Sequence, residues 1–405
     1  MINVIGLGYI GLPTALMLAA NGIEVVGTDL NVDVVNKLNS GIVSFEEKGI
    51  EKLFAEASEN IRFETKYQTT DMYIVSVPTP YNKFSKRIDA TYVIRAVEMV
   101  LEVCKSNAII VVESTISPGT IDRCIRPIVD EKNRTDKTSI QVAHAPERII
   151  PGNMIYELIH NNRTIGADNT EVAEKIIGVY KHFCKGDIVA TDIRTAEMTK
   201  VVENTYRAVN IAFANELAQI CRFDDMNVYE IIRICNMHPR VNILQPGPGV
   251  GGHCISVDPW FLVGDYPSLA NVINESMKTN DRMPEFVLNR IYEIMKERGI
   301  TDSNRVGLYG VTYKEDVDDV RESPTLQLLE CQKKHLASPL KVFDPMVSRK
   351  VVDNQYYDFE EFIKDVDLVV VMVKHSHIIQ NQGMLKEKIV LDCQNCITDK
   401  ETYHI

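Results

Sequence analysis

The pattern order along this 405-residue chain predicts an α/β protein. Two doubly wound parallel-sheet domains should be joined by a central helical domain built on one long helix. Three observations predict this. Short apolar runs alternate with helical patterns over roughly the first 190 residues. A stretch of 29 residues from Thr195 to Phe223 then has neither glycine nor proline. Strand-helix alternation returns at Arg305 and continues towards the end. The expected domains are residues 1–190, 191–300 and 301–405.

The elements follow in order. "INVIGLG" is a strand entering glycines, followed by an apolar helix to about Ala20, and "EVVGTDL" is a second strand ending in Asp29. Further strands read at 72–80 ("MYIVSVPTP"), 108–115 ("AIIVVEST") and 140–148 ("IQVAHAPER"), with a helix at 91–104. Such alternation implies parallel β-α-β units. The long helix leads into "VYEIIRIC", and a further helical stretch covers about Ser268 to Arg298, interrupted by Pro284. The last domain reads as strands "RVGLYGVTYK", "LKVFDP", "VDLVVVMVK" and "KIVLDCQN". "LKVFDP" ends in Asp344 much as "VVGTDL" ends in Asp29, so the two ends look loosely alike.

Composition excludes several classes. A formal charge of −12 argues against nucleic acid, which needs a basic face. A nucleotide ligand stays possible, because a few cations and helix N-termini can hold one. No uncharged apolar stretch is long enough to span a bilayer. The apolar N-terminus lacks a positive leading segment and has regularly spaced glycines, so it is not read as a targeting signal. Nine scattered cysteines indicate reduced thiols and a cytoplasmic protein. The lone "CQNC" at 393–396 has no second pair and is read as structural, so no metal is expected.

Gly6, Gly8 and Gly11 form G-x-G-x-x-G between a strand and a helix, and Asp29 ends the next strand 18 residues later. In that context the pattern predicts dinucleotide binding on a Rossmann-like domain, with the amides around Tyr9 and Ile10 facing the phosphates. A carboxylate at Asp29 would accept from a ribose diol and repel a 2′-phosphate, which favours NAD over NADP. A tight turn with no ligand is the alternative.

Lys200, Asn204, Arg207 and Ile211 share one helix face at steps of four, three and four. That face holds a ligand or is a solvated stripe. Cys254 sits in "GPGVGGHCISVDPW" at 247–260, where backbone can pack against a ligand and the sulfur can project. His253 and Asp258 stand near enough in sequence to influence a thiolate. The competing reading is a small apolar residue in a tight turn. Beside an NAD motif, a thiolate suggests one chemistry: an alcohol is oxidised to an aldehyde, trapped as a thiol adduct, oxidised to a thioester and hydrolysed.

At this point the residues resemble a known family. "VIGLGYIGLPTA", "VPTP", "EST", "APERIIPG", "RTAEMTKVVENTYRAVNIAFANE", "HPRVNILQPGPGVGGHCISVDPWF" and "YKEDVDDVRESP" together resemble the UDP-glucose/GDP-mannose dehydrogenase family over nearly the whole chain. The resemblance implies Cys254 as nucleophile, Lys200 as proton donor/acceptor or oxyanion partner joined by Asn204, and Asp258 near the nucleophile and the attacking water. It implies Thr115 and Glu147 in thioester hydrolysis. It implies NAD contacts from Tyr9, Ile10, Asp29, Thr79, Thr115 and Arg321. It implies substrate contacts from Arg148, Ile149, Arg207, His238, Arg240, Gly251 and Lys314, with Lys200 and Asn204. It further implies a homodimer or larger homo-oligomer formed through the central helices, with Arg240 as the candidate to cross to the neighbouring site.

Two departures from the family pattern matter. UDP-glucose-type members carry "NPEFLREG" where this chain has "APERIIPG". Arg148 beside Glu147, with "HPRVN", fits the branch whose sugar carries an acetamido group. The implied substrate is UDP-N-acetyl-D-mannosamine, oxidised at C6 with two NAD for a surface polysaccharide; UDP-N-acetylglucosamine and UDP-glucose are the competitors. "VKHSHI" replaces "DHSEF" near the end, so no uridine contact is assigned there. Two other readings stand: a two-electron hydroxyacid or sugar-acid dehydrogenase, which has no need of Cys254, and a non-catalytic NAD-sensing or scaffold protein.

Overall fold

The computed structural model describes residues 1–405 apart from Ser44, Glu46, His253 and 336–338. The chain divides into two compact units, Met1–Glu203 and Asn204–Ile405, and the boundary falls inside the helix Ile193–Phe223.

In the first unit the apolar runs become strands β1 (Ile2–Ile5), β2 (Val25–Thr28), β3 (Ile61–Glu64), β4 (Met72–Val75), β5 (Ile109–Val112), β6 (Gln141–His144), β7 (Arg163–Ala167) and β8 (Ile188–Thr191). They form one sheet in the order β3-β2-β1-β4-β5-β6-β7-β8. β1, β2, β4 and β5 are buried at every position, as expected where helices cover both faces of a parallel sheet. The helix Gly11–Ala20 buries nine of its ten residues, Gly11 to Ala19, because it packs between the sheet and its neighbours. The strand order reverses between β1 and β4, so the carboxyl ends of those strands open a crevice at the switch point.

One pairing departs from the parallel expectation: β7 runs antiparallel to β6, with His144 opposite Gly166. The chain leaves β6, forms the helix Met154–His160 and re-enters the sheet from its carboxyl edge. No local pattern announces this, because strand polarity depends on where the intervening helix packs. β3, β7 and β8 likewise carry no strand pattern of their own in the sequence.

The second unit repeats the plan. Strands β9 (Val306–Tyr309), β10 (Lys341–Phe343), β11 (Gln355–Tyr356), β12 (Leu368–Val371), β13 (Ile389–Asp392) and β14 (Tyr403–His404) form a parallel sheet in the order β11-β10-β9-β12-β13-β14. Counted within the sheet, that is the order of the first six strands of the other. The helix Asn271–Arg298 packs on this sheet and runs unbroken through Pro284, where the sequence suggested an interruption. A proline forfeits one helical N–H and crowds the preceding turn, but Pro284 is buried and packed near Gly249, so tertiary contacts hold the helix together.

The long helix also braces the first unit. Glu197, fully buried, accepts from the backbone N–H of Gly119 and of Ile121, 2.9 Å away. It thereby satisfies amides that open the helical run from Ile121, and fixes the loop after β5. Burial outweighs those two amides and pushes the Glu197 carboxyl up from 4.5 to about 7. The folded chain therefore keeps this proton across a window in which the unfolded chain loses it. The contribution is complete below about pH 4.5 and is lost as pH rises through about 7. Between those values Glu197→Gln should flatten the pH dependence of the unfolding free energy by at most about 3 kcal/mol, read by denaturant titration at several pH values.

Candidate active site

The site begins at the β1 turn. Gly6 has φ +86°, and a Cβ there would stand 2.4 Å from the Ser76 carbonyl oxygen. A Cβ on Gly11 would lie 1.9 Å from the Gly6 oxygen, so this glycine lets helix and strand touch. Gly8 differs: it is exposed, and a Cβ there would meet nothing within 4 Å. Two glycines thus serve the protein's own packing, and the third leaves open space where a pyrophosphate would lie. Asp29 is half-buried at the end of β2. Its Oδ2 accepts from Leu7 N at 2.9 Å and its Oδ1 from Asn31 N at 2.8 Å. Each oxygen keeps a lone pair for a ribose diol. Tyr9 and Ile10 are half-buried, and Tyr9 stacks on Phe45 with ring centroids 4.5 Å apart. These residues fit NAD.

The second unit has the corresponding carboxylate, but closed. Asp344 is 3% exposed and accepts from Val311 N at 2.6 Å and Thr312 N at 3.0 Å, with His375 Nε2 at 3.2 Å. Although burial opposes it, His375 and the amides hold this carboxyl below the usual range. Its oxygens are engaged by the protein, so the likeness between the two ends is one of backbone plan.

At the carboxyl edge of the first sheet, Glu147 is buried, and its Oε1 accepts from Arg148 N at 2.6 Å. Its Oε2 stands 2.5 Å from Arg163 Nη2, an ion pair poorly aligned for a hydrogen bond. Thr115 is half-buried and Thr79 buried in the neighbouring loops. Ser114 Oγ staples those loops together, accepting from Val77 N at 2.9 Å and donating to Val77 O at 2.7 Å. Arg148 spends three of its five N–H groups internally, on Glu203 at 2.8 Å, Asn162 O at 2.9 Å and Thr164 Oγ1 at 3.0 Å. It ties the 147–151 segment to the long helix. Ile149 belongs to the core of this unit, so only its backbone is available to a ligand.

On the long helix, Lys200 and Asn204 are 7% and 6% exposed, whereas Arg207 is exposed. The shared face predicted from spacing is therefore closed at its first two members and open at the third. Among the described residues Lys200 has no hydrogen-bond or ion-pair partner. Its Nζ is not sealed from solvent, so the end of this mostly buried side chain stays open to water or a ligand. Asn204 Nδ2 donates to Asp258 Oδ2 at 2.6 Å, with both groups buried. Asp258 N in turn donates to the Cys254 carbonyl at 2.8 Å. Asn204, Asp258 and Cys254 are thus linked by one chain of bonds.

Cys254 is exposed and directly precedes the turn into the helix Asp258–Asp265. The glycines before it also let the protein's own backbone pack closely. A Cβ on Gly251 would lie 2.6 Å from Tyr313 Cβ and 2.7 Å from the Glu322 oxygen, and Gly252 N donates to Arg321 O at 2.9 Å. The loop lies flush against the 313–324 segment, and Cys254 is an exposed residue of it. His253 lies outside the described residues. Arg321 binds Asp319, with Nη2 at 2.6 Å. His238 and Arg240 share one exposed turn, and Lys314 is half-buried in the segment facing the Gly-rich loop.

The sequence reading missed two groups. One is a ladder of asparagines on the long helix. Asn210 Oδ1 accepts from Leu244 N at 2.9 Å, Asn215 Oδ1 accepts from Gly247 N at 2.9 Å, and Asn215 Nδ2 donates to Asn280 at 2.9 Å. An amide donates and accepts at once, so these residues pin the approach to Cys254. Asn210 and Asn215 within the apolar stretch from Ala208 to Ala218 were the available signal. The other is Glu113, directly after β5, with Arg163 at the start of β7. By contrast, Cys393 and Cys396 are buried thiols pushed upward by burial, and no metal-holding group of three or more His, Cys, Asp or Glu occurs among the described residues.

Two substitutions test these assignments. Gly8→Ala should leave thermal stability near the parent's and weaken NAD binding about tenfold or more, whereas Gly11→Ala should cost about 1–3 kcal/mol of stability. Calorimetry with and without NAD separates the two. Lys200→Met should change stability by no more than about 1 kcal/mol, because no hydrogen bond or ion pair is lost, while turnover falls by about a hundredfold or more. Denaturant titration and steady-state NADH formation read the two effects.

Comparison with known proteins agrees with this geometry. Residues 1–184 match the model of the UDP-glucose/GDP-mannose dehydrogenase family, NAD binding domain. Residues 194–282 match the central domain of that family, and 307–399 its UDP binding domain. The chain is 41% identical over 410 residues to a UDP-N-acetyl-D-mannosamine dehydrogenase of Methanococcus vannielii, covering 98% of this chain and 93% of that one. Among solved structures it resembles the UDP-D-ManNAc dehydrogenase of Pyrococcus horikoshii, with TM-score 0.92, 34% identity and 100% and 99% of the two chains covered. It also resembles the UDP-N-acetyl-mannosamine dehydrogenase of Staphylococcus aureus, with TM-score 0.88, 38% identity and 100% and 97% covered. With three family models matched in order along a chain whose β1 turn fits NAD, the protein belongs to the UDP-glucose/GDP-mannose dehydrogenase family and is an NAD-dependent oxidoreductase.

Proposed function

We propose that this enzyme oxidises C6 of UDP-N-acetyl-D-mannosamine to the carboxylate, giving UDP-N-acetyl-D-mannosaminuronate. The sugar follows from the names of the relatives and from "APERIIPG" in place of the UDP-glucose pattern. The observation that carries the chemistry is Lys200, a mostly buried lysine with no hydrogen-bond or ion-pair partner among the described residues, one turn from the Asn204–Asp258–Cys254 chain.

Bound NAD supplies a hydride acceptor for each of the two oxidations. In the first, the C6 hydroxyl gives up its proton to Lys200 acting as a neutral amine, or to a water that the Lys200 ammonium holds, and an aldehyde results as the hydride leaves C6. Cys254 adds to the aldehyde carbon through sulfur. Lys200 and Asn204 stabilise the oxyanion of this adduct by donating to it. Loss of the second hydride from the adduct leaves a thioester on Cys254. Water activated through Glu147 and Thr115 then cleaves the carbon-sulfur bond, which returns the thiol and releases the acid. Asp258 orients Asn204, and its amide holds the Cys254 carbonyl.

The remaining assignments belong to the same reading. Domains of 1–190, 191–300 and 301–405 would bind NAD, carry Lys200 and Cys254, and bind the UDP-sugar. Arg207, His238, Arg240, Gly251 and Lys314 would contact the substrate. Arg148 and Ile149 would contribute backbone, and Arg321 would reach NAD. A diphosphate favours the arginines and lysines in a protein of net charge −12. Tyr206, Phe213 and Ile220 are exposed at seven-residue spacing on the long helix, which supports a homodimer formed through that face. No helix among the described residues is long and apolar enough to cross a membrane. The nine scattered cysteines support a cytoplasmic enzyme, and the family resemblance supports a part in surface-polysaccharide synthesis.

The deciding experiment counts NADH formed per sugar consumed with limiting UDP-N-acetylmannosamine. Two NADH with a uronic acid product are expected. One NADH with a released aldehyde would remove Cys254 from the mechanism. No NADH, with turnover on UDP-N-acetylglucosamine or UDP-glucose instead, would reassign the sugar. Cys254→Ala should lose at least about a hundredfold in acid formation while retaining NAD binding.

A further inference from the structure

The carboxyl edge of the first sheet holds one carboxyl that this chemistry does not use. Glu113 directly follows β5 and is 1% exposed. Three hydroxyls donate to it: Thr14 at 3.4 Å, Ser76 at 3.1 Å and Tyr180 at 3.1 Å. Arg163 lies between Glu113 and Glu147. Its Nη1 is 3.9 Å from Glu113 Oε1, and its Nη2 is 2.5 Å from Glu147 Oε2. The guanidinium is itself 4% exposed, with its carbon 4.4 Å from the centroid of the Tyr180 ring and 5.2 Å from that of Phe183. Among the described residues no other cation pairs with either carboxyl.

One buried cation therefore faces two buried carboxyls. Both cannot ionise without leaving a net buried negative charge. We propose that Glu113 is a positioning residue for Glu147: the two carboxyls divide one arginine, and the protonation state of Glu113 sets how firmly Arg163 holds Glu147. The proposal rests on the reading of Glu147 as the group that activates water. With Glu113 neutral, Arg163 belongs to Glu147 alone, which is then held fast and is a weaker base. With Glu113 ionised, the arginine is shared and Glu147 is freer to take a proton.

The balance lies near neutrality. Burial, helped by the charge of Glu147 and opposed by Arg163, pushes the Glu113 carboxyl up from 4.5 to about 7. The groups facing this cluster are Glu147 from the loop after β6, Arg163 from β7 and Tyr180 from the helix Thr170–Tyr180, with the Cys184 thiol beside Arg163. The Tyr180 hydroxyl is pushed far above its usual value by burial and by Glu113, so it stays a neutral donor. The hydroxyls of Ser76 and Thr14 favour the ionised form of Glu113.

The test is the pH profile of steady-state turnover with NAD and UDP-N-acetylmannosamine, beside the size of the first NADH burst. The parent should rise through a midpoint near pH 7. Glu113→Gln fixes the group neutral. The midpoint should vanish and turnover at alkaline pH should fall roughly tenfold, the factor of one pKa unit, with the burst unchanged. Tyr180→Phe removes a donor that favours the ionised form, so its midpoint should move to higher pH. This milder variant decides the matter where Glu113→Gln fails to fold. A purely structural role would raise the KM for NAD or lower the melting temperature and leave the midpoint in place. Profiles of the folded variants that superpose on the parent's would overturn the proposal. Glu147→Gln separates the two levels. If it turns over like the parent, the reading of Glu147 falls; if it is inactive while the other profiles are unmoved, only the role of Glu113 falls.

Discussion

The N-terminal half of the site depends on one buried guanidinium. Arg163 is almost fully enclosed, stacked on aromatic rings, and flanked by Glu113 and Glu147. A charge taken out of water must be compensated on the spot, and here the compensation comes from the ends of two strands, one on each side. The reversal of β7 makes this possible. Had β7 run parallel to β6, Arg163 at its start would lie at the opposite edge of the sheet. Antiparallel pairing brings it to the carboxyl edge, where open α/β sheets gather their ligand-binding groups.

The two sheets share more than strand order. In each, a glycine with positive φ follows the first strand, Gly6 and Gly310. The residue after each glycine donates its N–H to an aspartate that follows the next strand: Leu7 to Asp29 and Val311 to Asp344. The backbone solution is the same, and its uses diverge. Asp29 keeps acceptor capacity at a half-open position. Asp344 is sealed by three amides and His375, and stabilises its own turn. A repeated plan therefore gives one turn fitted to a dinucleotide and one that is architectural.

The Cys254 loop illustrates a related division of labour. Its glycines let backbone lie against backbone, and the asparagines of the long helix tie down the chain leading to it. These bonds fix the backbone of the loop from both sides of Cys254. The residue is exposed, and its placement comes from the amides and carbonyls behind it.

Local sequence was enough for the α/β class, the long helix, the G-x-G-x-x-G turn with Asp29, and the Gly-rich setting of Cys254. Each of these is a short-range signal: a period, a turn residue or a fixed spacing. The face shared by Lys200 and Asn204 was legible for the same reason, since helical spacing fixes neighbours. Tertiary structure decided the rest. It set the polarity of β7, the passage of a helix through Pro284, the packing partner of the Gly-rich loop and the engagement of Arg148 by Glu203. It alone joined Glu113, Glu147 and Arg163, whose meeting requires three strand ends to converge. The physical reason is that burial and charge pairing are properties of what surrounds a residue, and sequence spacing does not carry them across a sheet.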